Sequence, residues 1–246
     1  MFTEYVTRGA KAGVVGGVAF GLFIALVGNP LIGYAETFEH SHGHSSTVSD
    51  TVAAVVSVVG GVLLGVLLGI VVFGAIYYFL EPVLPGGSMD AESYLLGGAG
   101  FITISGAPWL ALPPQPPGVE QSLSVDVRIA WYALMMGAGA LSCGLAGYVY
   151  RRLRRRFDDR SRAIAAFGAT TMFGVLPVVA LVAPANSVTG PIPSELATVI
   201  RAVTAMGQVG FWFVLATAHA WLVRRDRSIP ESETDPIDAP SMAVEP

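Results

Sequence analysis

Three of the four histidines in the chain fall within five residues, in the stretch Glu36-Thr37-Phe38-Glu39-His40-Ser41-His42-Gly43-His44. Imidazole nitrogens suit borderline divalent ions such as Co²⁺, Ni²⁺, Cu²⁺ and Zn²⁺, and the carboxylates of Glu36 and Glu39 would add hard ligands and cancel charge. Alternate spacing puts His40, His42 and His44 on one side of an extended segment, while Gly43 would let the segment fold around an ion instead. A short histidine-rich tract is a compositional metal signal. The competing reading is a polar loop whose histidines are solvated or respond to pH. The metal reading is preferred, with Glu36, Glu39, His40, His42 and His44 as the expected ligands. The ion is then one that is transported or sensed, with no tightly bound cofactor expected.

Elsewhere polar chemistry is sparse. Asn29 precedes Pro30, whose ring frees a carbonyl that would either serve an ion or simply kink a helix. Arg201 and Gln208 lie seven apart on one apolar segment, and Arg201 is expected to snorkel towards Glu195 or Asp126. His219, beside Trp221, reads as an interfacial residue. Met135, Met136, Cys143, Met172 and Met206 read as packing rather than as a soft-ligand ladder. No nucleophile stands beside a base, so the chain is not expected to be an enzyme. No G-x-x-x-x-G-K-[ST] loop and no Rossmann glycine run occurs, which excludes the usual means of using ATP or a dinucleotide. The single cysteine forms no internal disulfide.

The elements that must position these residues are membrane helices. A chain of 246 residues with 53% apolar residues, 13% charged residues and 29 glycines cannot cover a water-facing globule. Its charge is confined to gaps between long apolar runs, as hydrocarbon solvent demands. Spans are expected at about 9–34, 52–80, 94–112, 128–150, 163–183 and 196–223. The fold class is therefore an all-α integral membrane bundle of about six transmembrane helices, occupying 1–227. The acidic, proline-bearing segment 228–246 reads as a disordered cytoplasmic tail. A signal peptide is the alternative for the first span, but its apolar stretch is too long for a typical signal core. Gly13, Gly17 and Gly21 in the first span, and Gly61, Gly65 and Gly69 in the second, recur every four residues and mark close helix packing. The third span is short and interrupted by Gly97, Gly98, Gly100, Gly106 and Pro108; helices of this kind often lie inside a bundle or border a pore, but a plain kink is the preferred reading. The following Pro113-Pro114-Gln115-Pro116-Pro117-Gly118 reads as a stiff, extended loop.

Basic residues favour the cytoplasmic side of short loops. Arg151, Arg152, Arg154, Arg155, Arg156, Arg160 and Arg162 crowd the fourth connection. Arg224, Arg225 and Arg227 follow the sixth span, and Arg8 and Lys11 open the first. An even span count puts these twelve of the fourteen basic residues on one side. Both termini are thus expected in the cytoplasm of a multi-pass plasma-membrane protein, with the histidine tract outside. The arginine cluster is also suited to anionic lipid or to a partner, although an orientation signal suffices to explain it.

The order of landmarks resembles the CbtA family of cobalt transporter subunits. The resemblance rests on the glycine-rich first span, on Asn29-Pro30-Leu31 and Ala35-Glu36 that close it, on Glu39-His40-Ser41-His42-Gly43-His44, and on the 113–119 loop. It covers roughly Tyr5 to Arg225 and implies cobalt uptake for cobalamin synthesis. It also implies a small single-span companion, CbtB, with a histidine motif of its own. The family is described with five or so spans, so a sixth is a departure. Two functions compete on this reading. One is an importer of Co²⁺, or of Ni²⁺ or Zn²⁺, by a path between spans one, two, three and six. The other is a non-transporting metal sensor or assembly subunit acting through Arg151 to Arg162.

Overall fold

The computed structural model describes residues 1–39, 49–85, 88–155 and 161–227. The tail 228–246 and the arginines at 156 and 160 lie outside this set. Six helices are long and apolar enough to cross a membrane: α1 (Phe2–Phe38), α2 (Asp50–Val83), α3 (Asp90–Ala111), α4 (Val125–Arg154), α5 (Ala163–Leu181) and α6 (Ser194–Asp226). Leu26, Leu63, Leu141, Phe167 and Phe213 are each more than 60% exposed. A surface of that kind is stable against lipid and costly against water. The six helices match the expected count and exceed the five or so that the resemblance implies.

Local signals start the helices. Ser49 caps α2 by accepting the Val52 N–H, and Ser88 caps α3 by accepting the Ala91 N–H. Asp50, Asp90 and Glu92 add negative charge in those first turns, while Arg151, Arg152 and Arg154 close α4 where the helix dipole is negative.

α1 and α2 meet along their glycines. A Cβ on Gly13 would fall 2.3 Å from the Gly65 carbonyl oxygen, and one on Gly17 would fall 2.5 Å from the Gly61 carbonyl oxygen. No other residue fits between these backbones. The expected glycine repeat is therefore a seam with itself, running antiparallel. α6 lies on the other side of α1 and also packs on α3, so that α1, α2, α3 and α6 form one half of the bundle. Its centre is Ala12, Phe73, Tyr77, Leu96, Phe211, Trp212 and Leu215. α4 packs on α5 and on the later part of α3, around Ala107, Met135 and Leu176.

Proline sets the shape of two helices. α3 consists of an α-helix Met89–Phe101, a π turn Ile102–Gly106 and a further turn Ala107–Ala111. Pro108 has no N–H for the Ile104 carbonyl four residues earlier. The Tyr132 hydroxyl from α4 donates to that carbonyl at 2.6 Å. A π turn, Ile24–Gly28, likewise precedes Pro30 in α1.

α1 and α6 bring their terminal ends together, where Arg8 pairs with Asp226 at 2.7 Å. This is called the terminal end below, and the opposite one the far end. At the far end β1 (Glu120–Gln121) pairs antiparallel with β2 (Val188–Thr189). Asn186 fixes the ribbon by donating to Gln121 and accepting the Leu123 N–H. This ribbon was not among the expected elements. Arg201 also departs from expectation, since its guanidinium donates to Gln115 of the proline loop at 2.8 Å. Glu195 lies six residues away on the same helix, about 240° around it, and so faces elsewhere.

Candidate functional site

Of the five residues expected to hold metal, Glu36 and Glu39 sit one turn apart at the end of the first helix, which continues to Glu39. Glu36 is half-buried. His40, His42 and His44 lie outside the described residues. Among the described residues no three His, Cys, Asp or Glu side chains come together as metal ligands.

The polar chemistry of the described chain lies instead inside the bundle, on the seam between α3 and α6. His219 is fully buried, although its place beside Trp221 reads as interfacial. Its Nδ1 lies 2.9 Å from the Ser93 hydroxyl. The Phe73 and Tyr77 rings pack on the imidazole, each with its centroid 4.9 Å away. Nε2 is buried and has no partner. If Ser93 donates to Nδ1, Nε2 carries the proton; if Nδ1 donates to Ser93, Nε2 presents a lone pair. In either tautomer one nitrogen is spent on orienting the ring and the other is left for a ligand or a proton.

Acidic groups bond the tyrosines around the histidine, not the histidine itself. The Tyr77 hydroxyl donates to Glu92 at 3.0 Å, and the Tyr5 hydroxyl donates to Glu81. Arg8 lies 5.5 Å over the Tyr5 ring while paired with Asp226, and Arg224 pairs with Asp90 at 3.0 Å. Each of α1, α2, α3 and α6 contributes, so the cluster exists only when that half of the bundle is assembled.

Further along the same seam, Ser105 donates to Gln208 at 3.3 Å. Gln208 and His219 are eleven residues apart, three helical turns, and so share a face about 16 Å apart. Between them the Trp212 ring covers Gly100, where a Cβ would fall 2.3 Å from the ring. The Trp212 indole nitrogen is also buried without a partner. Near the far end Asn29 on α1 donates to the Ser57 hydroxyl on α2 at 3.0 Å. Three separate polar contacts therefore lie between the helices, Asn29 with Ser57, Ser105 with Gln208, and Ser93 with His219, the last next to the Tyr77–Glu92 pair. An ionisable side chain such as His219 is expensive inside a membrane, whereas Ser, Asn and Gln also serve as hydrogen bonds between packed helices.

Asn29, Gln208 and His219 are visible in the sequence as polar residues within apolar runs. Ser93, Ser105, Tyr77 and Glu92 are not, because serine and tyrosine are common in membrane helices and Glu92 reads as part of a loop. Their one sequence signal is the helix-start pattern at Ser88, which places Glu92 and Ser93 inside the first turns of α3 rather than before it.

The family model described as probable cobalt transporter subunit (CbtA) matches residues 2–224. No curated protein and no solved structure matches the chain.

Proposed function

The chain belongs to the CbtA family, and from that premise we propose that it is a membrane subunit of an uptake system for Co²⁺. Its termini lie in the cytoplasm, and the segment of Glu36, Glu39, His40, His42 and His44 collects the ion outside. The ion then passes along the seam of α3 and α6, by Gln208 and Ser105, to His219 and the carboxylates of Glu92 and Glu81 at the terminal end. The observation that carries this reading is the buried imidazole of His219 with its unpartnered Nε2. A single imidazole is a place of passage rather than a cage, since tight sites for such ions supply three or four ligands. Ni²⁺ and Zn²⁺ suit the same donors and are the natural competitors. A small single-span subunit of the CbtB kind, with its own histidines, is the expected partner.

The test is ⁵⁷Co²⁺ uptake at limiting metal by cells expressing the chain with its partner. Replacing His40, His42 and His44 together by alanine is expected to raise the half-saturating Co²⁺ concentration about tenfold, which corresponds to about 1.4 kcal/mol of lost capture. Unchanged uptake at normal expression removes the capture role from the tract. Proteoliposomes holding this chain, with and without its single-span partner, separate transport from the sensor or assembly reading, because a sensor binds Co²⁺ and moves none in either.

A further inference from the structure

Two apolar grooves open on the terminal-end half of α4. One, about 720 Å³, lies between α4 and the end of α2 and is floored by Leu80, Cys143, Gly144 and Gly147. The other, about 580 Å³, lies between α4, α3 and α5 and shares Cys143 and Gly147 with the first. They exist because α3 leans on α6 at this end and reaches α4 mainly through its far half. No described atom lies within 4 Å of where a Cβ would stand on Gly144 or Gly147. Gly144 and Gly147 thus differ from Gly139 of the same helix, on which α3 has closed, and from the glycines of the α1–α2 seam.

The mouth of the first groove is lined by Arg151, Arg152 and Arg155. No described carboxylate pairs with any of the three. Arg151 donates one N–H to the Val83 carbonyl at 3.0 Å, and Arg152 donates one to the Tyr148 hydroxyl at 3.1 Å. Each guanidinium has five N–H donors, so most remain available. From Cys143 to Arg155 the helix rises about 18 Å, close to the ~15 Å that one leaflet contributes to the hydrocarbon core.

We propose that these paired grooves are a binding site for an anionic phospholipid, with its phosphate on Arg151, Arg152 and Arg155 and its two acyl chains in the two grooves. Charge complementarity selects this occupant. A neutral transmembrane helix would fill the apolar volume but leave three cations at the mouth unmatched, whereas guanidinium forks bind phosphate oxygens directly. The arginines line the first groove alone, and the floor shared at Cys143 and Gly147 lets one headgroup there send its second chain into the other groove.

The test uses the full chain in nanodiscs of phosphatidylcholine with one-tenth phosphatidylglycerol, with the retained lipid read by native mass spectrometry. The wild type is expected to retain phosphatidylglycerol at least tenfold above its share of the bilayer. Replacing Arg151, Arg152 and Arg155 by glutamine is expected to abolish the enrichment. Gly144→Leu with Gly147→Leu, which fills the groove from positions where a Cβ meets no other helix, is expected to lower retention of both lipids. Arg225→Gln, a basic residue at the same end but outside the grooves, is expected to change nothing. Absence of enrichment in the wild type overturns the site whatever the variants do. An equal loss from Arg225→Gln overturns it in favour of general surface charge. Loss of a co-purifying protein from the groove-filling variant, with lipid retention unchanged, overturns it in favour of a helical partner.

Discussion

His219 is oriented by one hydroxyl and two aromatic rings, and each contact has a separable consequence. Ser93 fixes the ring through Nδ1 at 2.9 Å. Without it the imidazole keeps its burial and its two aromatic neighbours but loses the contact that fixes which way its nitrogens point. Ser93→Ala is therefore expected to leave the protein folded, at a cost of about 1 kcal/mol for the lost hydrogen bond, while lowering Co²⁺ uptake several-fold. His219→Gln keeps a polar group of similar size but removes the nitrogen that has no partner, and is expected to lower uptake at least tenfold. Thermal unfolding in detergent alongside uptake separates the two effects. If His219 only packs, both variants change stability and neither changes transport per folded molecule. Cluster charge is held in the same way, since Tyr77 gives Glu92 a donor at 3.0 Å and its ring lies against His219. A carboxylate and an imidazole are thereby joined through one tyrosine, which no pairwise reading of α2 or α3 would show.

The helices differ in how far their glycines carry information. Gly65 meets α1 so closely that a Cβ would lie 2.3 Å from the Gly13 carbonyl oxygen, whereas the neighbouring Gly60 has nothing described within 4 Å. Gly65→Leu is expected to force the α1–α2 seam apart and destabilise the fold by at least 1–3 kcal/mol, as overpacking does. Gly60→Leu, facing away from the seam, is expected to fold normally, and unfolding in bicelles checks the pair. Equal behaviour of the two variants would mean that the seam does not set the packing. The spacing of Gly61, Gly65 and Gly69 made that seam legible from the sequence, because a four-residue repeat has one structural meaning on a helix in lipid. The partners of α6 were not legible in the same way. His219 and Ser93 are 126 residues apart, and only the assembled bundle shows that α6 crosses α3 along Gln208, Trp212 and His219. The two-residue ribbon of Glu120–Gln121 with Val188–Thr189 is too short to leave a pattern. Arg201 was assigned carboxylate partners because charge is what a sequence displays, while its observed partner Gln115 is neutral and is brought in by the proline loop.

At the scale of the molecule an asymmetry of charge separates the chemistry into two ends. Arg8 and Lys11 open α1, Arg151, Arg152, Arg154 and Arg155 close α4, and Arg224 and Arg225 close α6, so all eight stand at the terminal end. The ion pair of Arg8 with Asp226 ties the first and last helices together there. An orientation with the terminal end outside would carry all of these arginines across the membrane. Translocating such a cluster is what the charge rule for short loops disfavours. With Cys143→Ala as background, Thr189→Cys places a thiol on the exposed far-end ribbon and Thr3→Cys places one at the exposed start of α1. An impermeant maleimide is expected to label Thr189→Cys in intact cells, and to label Thr3→Cys only after the membrane is opened. Labelling of both in intact cells would mean a mixed population. The reverse pattern would put the histidine tract in the cytoplasm and the His219 cluster at the outer surface, and the direction of the path from capture to release would have to be exchanged.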